Sequence, residues 1–109
     1  MPKKKSAQEA KAGEVEVPVV VPEVCIDHDD HAYSIEVELP GVKKEDVKLS
    51  VGEQSFCVEG SRGDVVFVGC FSLVHSVDED KAKAKFESGL LKIDVPLKAA
   101  IKGRKIAIE

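Results

Sequence analysis

The chain has 109 residues, of which 43% are hydrophobic and 33% charged, and its formal net charge is −4. This length allows one domain with one modest core, and the acidic balance argues against the basic face that nucleic-acid binding requires. No apolar run reaches the roughly 18 residues of a membrane span, and nothing resembles a secretory leader. We therefore expect a cytoplasmic protein that binds neither nucleic acid nor membrane. An odd number of cysteines, three, favours reduced thiols over a disulfide scaffold.

The first 22 residues lack the pattern of a packed element. Up to about residue 14 they are rich in Lys, Ala, Glu and Gln without an apolar period, which predicts a flexible arm. Residues 15–22 are β-branched but interrupted by Pro18 and Pro22, so they suit an extended edge segment better than a central strand. We divide the chain into a flexible arm (1–22), a folded domain (23–97) and a C-terminal extension (98–109).

Two alternating strands joined by a corner occupy residues 32–51. Apolar and polar residues alternate along the first of them, which is the period of a strand with one buried face; its apolar positions are Tyr33, Ile35, Val37 and Leu39. Pro40 and Gly41 end this strand. The alternation resumes at Val47, Leu49 and Val51.

Further strands are predicted at residues 23–28, 54–60, 65–73, 81–86 and 91–96, separated by short polar turns. No stretch of ten or more residues has the 3.6-residue period of a helix. This succession of strands is typical of an all-β antiparallel sandwich.

The central hairpin allows a prediction of register. If Gly63 and Asp64 form a two-residue turn with glycine first, as a type II′ turn prefers, then Cys57 lies directly across from Cys70. Both cysteines then fall on the face away from the core, whereas Phe56 and Phe71 fall on the core side. We expect two neighbouring thiols without a disulfide, because a cross-strand bridge strains the bond and the cytosol disfavours it. A redox role for the pair stays open.

The chain carries no convincing catalytic or cofactor motif. The stretch from Gly60 to Gly63 lacks the spacing and the lysine of a phosphate-binding loop. A metal site could be built from Cys25, His28 and His31, but a spacing of three along a strand sends side chains to opposite faces. His75 is interpreted as a surface residue. We therefore predict a non-enzymatic protein without catalytic residues, cofactor or metal.

Several stretches resemble the small heat-shock protein (α-crystallin) family. Residues 36–49, which contain Leu-Pro-Gly, are similar to the family's first motif, and residues 58–62 resemble its apolar-x-Gly-x-Arg segment. Residues 84–91 resemble a third motif, with Ser88 in its Asn position. Ile106-Ala-Ile108 is similar to the family's C-terminal Ile-x-Ile anchor.

The resemblance implies an immunoglobulin-like sandwich of about seven to eight strands and an ATP-independent holdase that binds apolar segments of unfolding proteins. It implies self-association as well, because in the family the Ile-x-Ile anchor of one subunit docks in an apolar groove of a neighbour. The anchor here would be Ile106 and Ile108. The protein-binding groove would be lined by Val47, Leu49, Val51, Ala82, Ala84 and Phe86.

The chain departs from the family's pattern at three places. Only Ser61 to Asp64 stand where many members have a long loop with a strand that swaps into a partner. Gly69 or Cys70 stands where the next strand often carries an arginine, and the N-terminal arm is short and lacks aromatic residues. The alternative is an adaptor resembling the CS-domain co-chaperones, which bind a partner chaperone or ATPase. In that case the anchor could cap the groove of its own subunit.

Overall fold

The structure, a computed structural model, describes residues 16–109. This part of the chain forms eight strands: β1 (Val19–Val20), β2 (Glu23–His28), β3 (Ala32–Glu38), β4 (Val47–Val51), β5 (Ser55–Ser61), β6 (Val66–Ser72), β7 (Lys83–Glu87) and β8 (Leu90–Pro96). Short 3-10 turns at Lys44–Asp46 and Glu79–Lys81 precede β4 and β7. One sheet, here called sheet A, has the strand order β1-β6-β5-β4, and the other, sheet B, has the order β2-β3-β8-β7.

The core lies between the two sheets, and the alternation of the sequence determines which side chains reach it. Along β3 the buried residues are Tyr33, Ile35 and Val37, with the polar residues between them exposed. The same alternation buries every second residue of β8 and the residues Phe56 and Val58 of β5. Burying an aliphatic or aromatic side chain of this kind stabilises the fold by about 1.5–3 kcal/mol. The predicted all-β sandwich is confirmed.

The hairpin of β5 and β6 has the predicted register but not the predicted thiols. The amide of Arg62 donates to the carbonyl of Val65 around a turn in which Gly63 has a φ of +90°. This places Cys57 directly opposite Cys70. The two are joined by a disulfide, with their Cα atoms 4.0 Å apart, so the expectation of free thiols was wrong. In an antiparallel ladder, directly opposed positions bring side chains close enough to bond.

An arginine holds the Leu-Pro-Gly corner against this hairpin. The Arg62 side chain donates to the carbonyl of Pro40 at 2.6 Å and pairs with Asp64 at 2.7 Å. Its aliphatic stem lies over Gly41, where a Cβ atom would come within 3.0 Å of it, and Gly41 has a φ of +80°. Glycine is required here for both reasons, since side chains disfavour a positive φ.

The sandwich has two long seams where the edges of its sheets meet. At the first, the chain itself crosses from sheet A to sheet B. Strand β1 pairs in parallel with β6, and the amide of Val66 in β6 donates to the carbonyl of Pro18. Pro22, which is buried, then packs beside Gly69 before β2 begins in sheet B. We call this the closed seam. The prediction of an extended edge segment is confirmed for Val19–Val20, while residues 1–15 lie outside the described part of the chain.

The second seam lies between β4 and β7, the last strands of sheets A and B. A backbone hydrogen bond joins the two sheets at one end of this seam, and a side-chain contact joins them at the other. At one end the amide of Val77, ahead of β7, donates to Glu53, just after β4. At the other end the amide of Leu39 donates to Gly89 in the β7–β8 turn, while the Leu39 side chain lies against Gly60, which pairs with Val47 of β4. Within residues 16–109 no further strand covers this seam, and we call it the open seam.

Candidate functional site

The two sets of residues that the sequence assigned to a groove lie on opposite sides of the open seam. On β4, Val47, Leu49 and Val51 are partly buried, because they face the core at the edge of their sheet. On the other side, Ala82 and Phe86 are partly buried against the same core. Ala84 differs, since its side chain is exposed. Partly buried apolar side chains therefore lie on both sides of the seam.

Strand β7, which borders the open seam in sheet B, begins later than the alternating pattern predicted. The pattern predicted a strand from residue 81, but Glu79–Lys81 form a 3-10 turn and β7 begins at Lys83. The amide of Ala82 donates to Glu79 and closes this turn. Ala82 therefore contributes to the seam from the end of the turn and not from the strand.

The two residues proposed as an anchor are exposed to solvent and are not packed into the domain. Ile106 is 77% exposed and Ile108 is 95% exposed. Residues 98–109 form no strand. The extension leaves β8 through a bridge between Leu97 and Val77, and the amide of Ile101 then donates to Asp30 in the β2–β3 turn. The start of the extension is thus held at the end of the sandwich, and its two isoleucines do not sit in the open seam of their own subunit.

Lysine and carboxylate side chains pair at one end of the open seam. The Lys98 ammonium, at the base of the extension, donates to the Glu53 carboxylate at 2.9 Å. This hydrogen bond and the charge of Glu53 raise the pKa of Lys98 above its ordinary value, and the nearby carboxylates of Glu79 and Asp78 add to the effect. Both side chains of the pair are more than half exposed, so the pair adds little to stability.

The Asp29 carboxylate is hydrogen-bonded within the β2–β3 turn. The Asp29 carboxylate accepts hydrogen bonds from the amides of His31 and Ala32, and these bonds lower the pKa of Asp29 below its ordinary value. The aspartate therefore serves the turn, as this residue type commonly does. Within residues 16–109 no group of three or more His, Cys, Asp or Glu side chains is placed to hold a metal ion.

His75 is placed differently from the sequence interpretation. It is partly buried, its ring lies 4.9 Å from that of His28, and its amide donates to the Tyr33 hydroxyl at 3.0 Å. This bond satisfies the hydroxyl of a tyrosine that is only 2% exposed. One sign of this contact was present in the sequence, a tyrosine at a core position near the start of a predicted strand, because a buried hydroxyl needs a hydrogen-bond partner. The sequence does not show that the partner is His75.

Comparisons with known proteins agree with the fold and with the motifs. The model of the Hsp20/alpha crystallin family matches residues 25–109. The 18 kDa heat shock protein of Clostridium acetobutylicum is 31% identical over 104 residues, which cover 78% of this chain and 69% of that protein. Small heat shock protein C2 of Rickettsia felis is 28% identical over 106 residues, covering 83% of this chain and 69% of the relative.

Among solved structures, heat shock protein 16.0 from Schizosaccharomyces pombe has a TM-score of 0.67 and 26% sequence identity. The match covers 82% of this chain and 98% of that one. No helix in residues 16–109 is long and apolar enough to cross a membrane. The family match spans most of the chain and includes both strands of the open seam and the extension. The chain therefore belongs to the Hsp20/alpha crystallin family, the small heat-shock proteins, which are chaperones.

Proposed function

We propose that this protein is an ATP-independent holdase, which binds exposed apolar segments of unfolding proteins and assembles through its C-terminal anchor. In this proposal Ile106 and Ile108 of one subunit dock in the open seam of another. Clients are recognised by apolar surface without a defined sequence. Neither a cofactor nor a nucleotide takes part.

The observation that carries the proposal is the pairing of an uncovered apolar seam with an exposed pair of isoleucines. The seam offers partly buried aliphatic and aromatic side chains with no strand over them in the described residues. Ile106 and Ile108 are two residues apart, so in an extended chain both point to the same side. Burying each would contribute about 1.5–3 kcal/mol, and association offsets a large part of this. The result is a reversible contact, which suits a chaperone that must release its own subunits.

The test combines light scattering, which gives the native mass, with suppression of aggregation of a heated model protein such as citrate synthase. We expect wild type to form oligomers and to suppress aggregation. The variant Ile106→Ala/Ile108→Ala is expected to lose oligomer mass. A matched control, Lys102→Ala/Lys105→Ala, changes the same extension and should retain the mass. Wild-type protein that neither assembles nor suppresses aggregation would contradict the proposal.

The second candidate function is an adaptor that resembles the CS-domain co-chaperones. It is favoured by the direct β5–β6 hairpin, in which residues 62–65 make a tight turn in place of a long strand-bearing loop. An adaptor would be a monomer without holdase activity, and it would bind one folded chaperone or ATPase. The light-scattering and aggregation measurements above separate the two functions.

A further inference from the structure

The start of the C-terminal extension is bonded to two segments from different parts of the chain. One is the β2–β3 turn, and the other is the β6–β7 connection, residues 73–78. Three amides of the chain after β8 donate to carbonyls on these segments, and the pairs are Leu97 with His31 at 2.8 Å, Lys98 with Ser76 at 2.9 Å and Ile101 with Asp30 at 3.0 Å. The extension therefore keeps all three hydrogen bonds only while the turn and the connection stay next to each other.

The turn and the connection touch through a pair of histidine rings. His28 ends β2 and His75 lies in the connection, and their ring centroids are 4.9 Å apart with the planes inclined by 77°. Tyr33 contacts both, because its ring lies 5.1 Å from that of His28 and its hydroxyl accepts a hydrogen bond from the amide of His75. His75 is partly buried, whereas His28 is exposed. The histidine pair is therefore part of the contact that keeps the turn beside the connection.

The charges near this pair are distributed unevenly between its two members. The amide of His28 donates to the Asp27 carboxylate, and its ring Nδ1 lies 2.9 Å from the carbonyl of Asp29. Since a carbonyl only accepts, Nδ1 carries a proton and Nε2 is the atom that can gain one. The other titratable or charged groups on the elements packed here are Asp30 and His31 in the turn, Tyr33 on β3, Asp78 in the connection, and Lys98 and Lys102 on the extension. A positive charge on His28 thus has carboxylates in its own segment, whereas a second charge on His75 lies directly beside the first.

We propose that the contact between His28 and His75 is a pH-sensitive hold on the C-terminal extension. When both rings are protonated, two positive charges lie 4.9 Å apart and repel each other, so the turn and the connection separate. Lys98 is bonded to the connection and Ile101 to the turn, and the short stretch between them cannot keep both bonds once the two segments move apart. Acidification thereby releases the start of the extension and gives the anchor more reach. This inference goes beyond the proposed function, because it concerns the attachment of the extension to its own subunit.

The repulsion exists only while the two segments are in contact, and this determines the sign of the pH dependence. The separated state binds more protons than the held state, so the held state is lost as the pH falls through the range in which histidine gains its charge, between about pH 8 and about pH 5. Asp29 takes no part in this change. The amides of His31 and Ala32 hold the pKa of its carboxyl below its ordinary value, so it stays ionised throughout that range.

Hydrogen exchange of the Ile101 amide, measured by mass spectrometry on overlapping peptides and corrected for the intrinsic pH dependence of exchange, tests the hold. Between about pH 7.5 and about pH 5.5 we expect wild type to lose about tenfold in protection at this amide. His28→Phe and His75→Phe each keep a ring in the pair that cannot be charged, so both should retain the protection. The matched control is His31→Gln, which removes a histidine of the same turn that is not in the pair and should respond as wild type does. Circular dichroism confirms that each variant is folded, and if one phenylalanine variant does not fold, the other decides.

The outcomes are distinct. Lost protection in wild type and in His31→Gln, with protection retained in the phenylalanine variants, supports the inference. Equal protection of wild type at both pH values overturns it, and so does an equal loss in wild type and the phenylalanine variants, since the loss then has another cause. A control that no longer responds also overturns it, because the response then requires the His31 side chain. The readout does not involve aggregation or oligomer mass, so failure of the holdase proposal leaves this inference standing, and the reverse is equally true.

Discussion

The closed seam is crossed by the chain itself, whereas the open seam has no covering segment within residues 16–109. At the closed seam, the passage from β1 to β2 places buried Pro22 beside Gly69. At the open seam, Leu49 and Phe86 stay partly exposed. A segment of the same chain covers a seam without the loss of translational and rotational freedom that a separate chain incurs. Covering of the closed seam therefore does not depend on protein concentration, whereas the proposed docking of another subunit's anchor at the open seam would depend on it.

The largest expected effect on stability is that of removing the disulfide of sheet A, the sheet in which β1 and β6 border the closed seam. The disulfide joins β5 to β6 between cysteines 13 positions apart. Replacing both by serine should lower the free energy of unfolding by about 3 kcal/mol, because the bridge restricts the unfolded chain. Urea denaturation with and without a reductant measures this. Cys25→Ser is the control and should change nothing, since Cys25 is exposed and unbridged. Equal midpoints for wild type and the serine variant would show that the bridge contributes no stability.

A smaller loss is expected where Pro22 and Phe71 close the seam over Gly69. A Cβ atom at Gly69 would come within 2.8 Å of two Phe71 ring atoms and 3.4 Å of Pro22. Gly69→Ala should therefore cost about 2 kcal/mol through overpacking. Thermal denaturation measures the loss, and Gly103→Ala is the matched control, because no atom lies within 4 Å of a Cβ there. If both variants unfold at the wild-type temperature, the closed seam is less tightly packed than the structure shows.

The smallest effect on stability is expected at the open seam. Phe86→Ala removes a partly buried ring and should cost about 1 kcal/mol, less than the removal of a fully buried ring. Its effect on assembly should be larger, since the anchor would lose part of its floor. Light scattering at several protein concentrations measures the mass, with Lys85→Ala on the same strand as the control. A Phe86→Ala variant that assembles like wild type would argue against docking in this seam.

The elements with strict alternation could be predicted closely from the sequence. The strand from Glu23 to His28 has the predicted bounds, and β3 differs from its prediction by one residue. The hairpin register followed from the Gly63-Asp64 turn alone. The prediction of free thiols at Cys57 and Cys70 was wrong. It relied on the reducing conditions of the cytosol, although the predicted register already placed the two cysteines directly opposite each other. The strand prediction failed at the start of β7, because the alternation of lysine and alanine continues through the 3-10 turn.

The candidate site could be predicted only in part. The parity of β4 and the apolar positions ahead of and within β7 identified the residues of the open seam, but not the exposure of Ala84. The position of Val19 and Val21 beside Val66 and Val68 could not be predicted, since the two segments lie about 47 positions apart in the chain and meet only through the parallel pairing of Val19 with Val66. Two-residue strands have no period from which a face could be read.

By itself, the sequence determined the strands, their buried faces and the central hairpin, because these depend on a two-residue period and on local turn chemistry. Only the tertiary structure decided which edges of the sandwich are covered, where a disulfide forms and which valines gather on one outer face. These features depend on contacts between segments far apart in the chain, and a local pattern carries no information about such contacts.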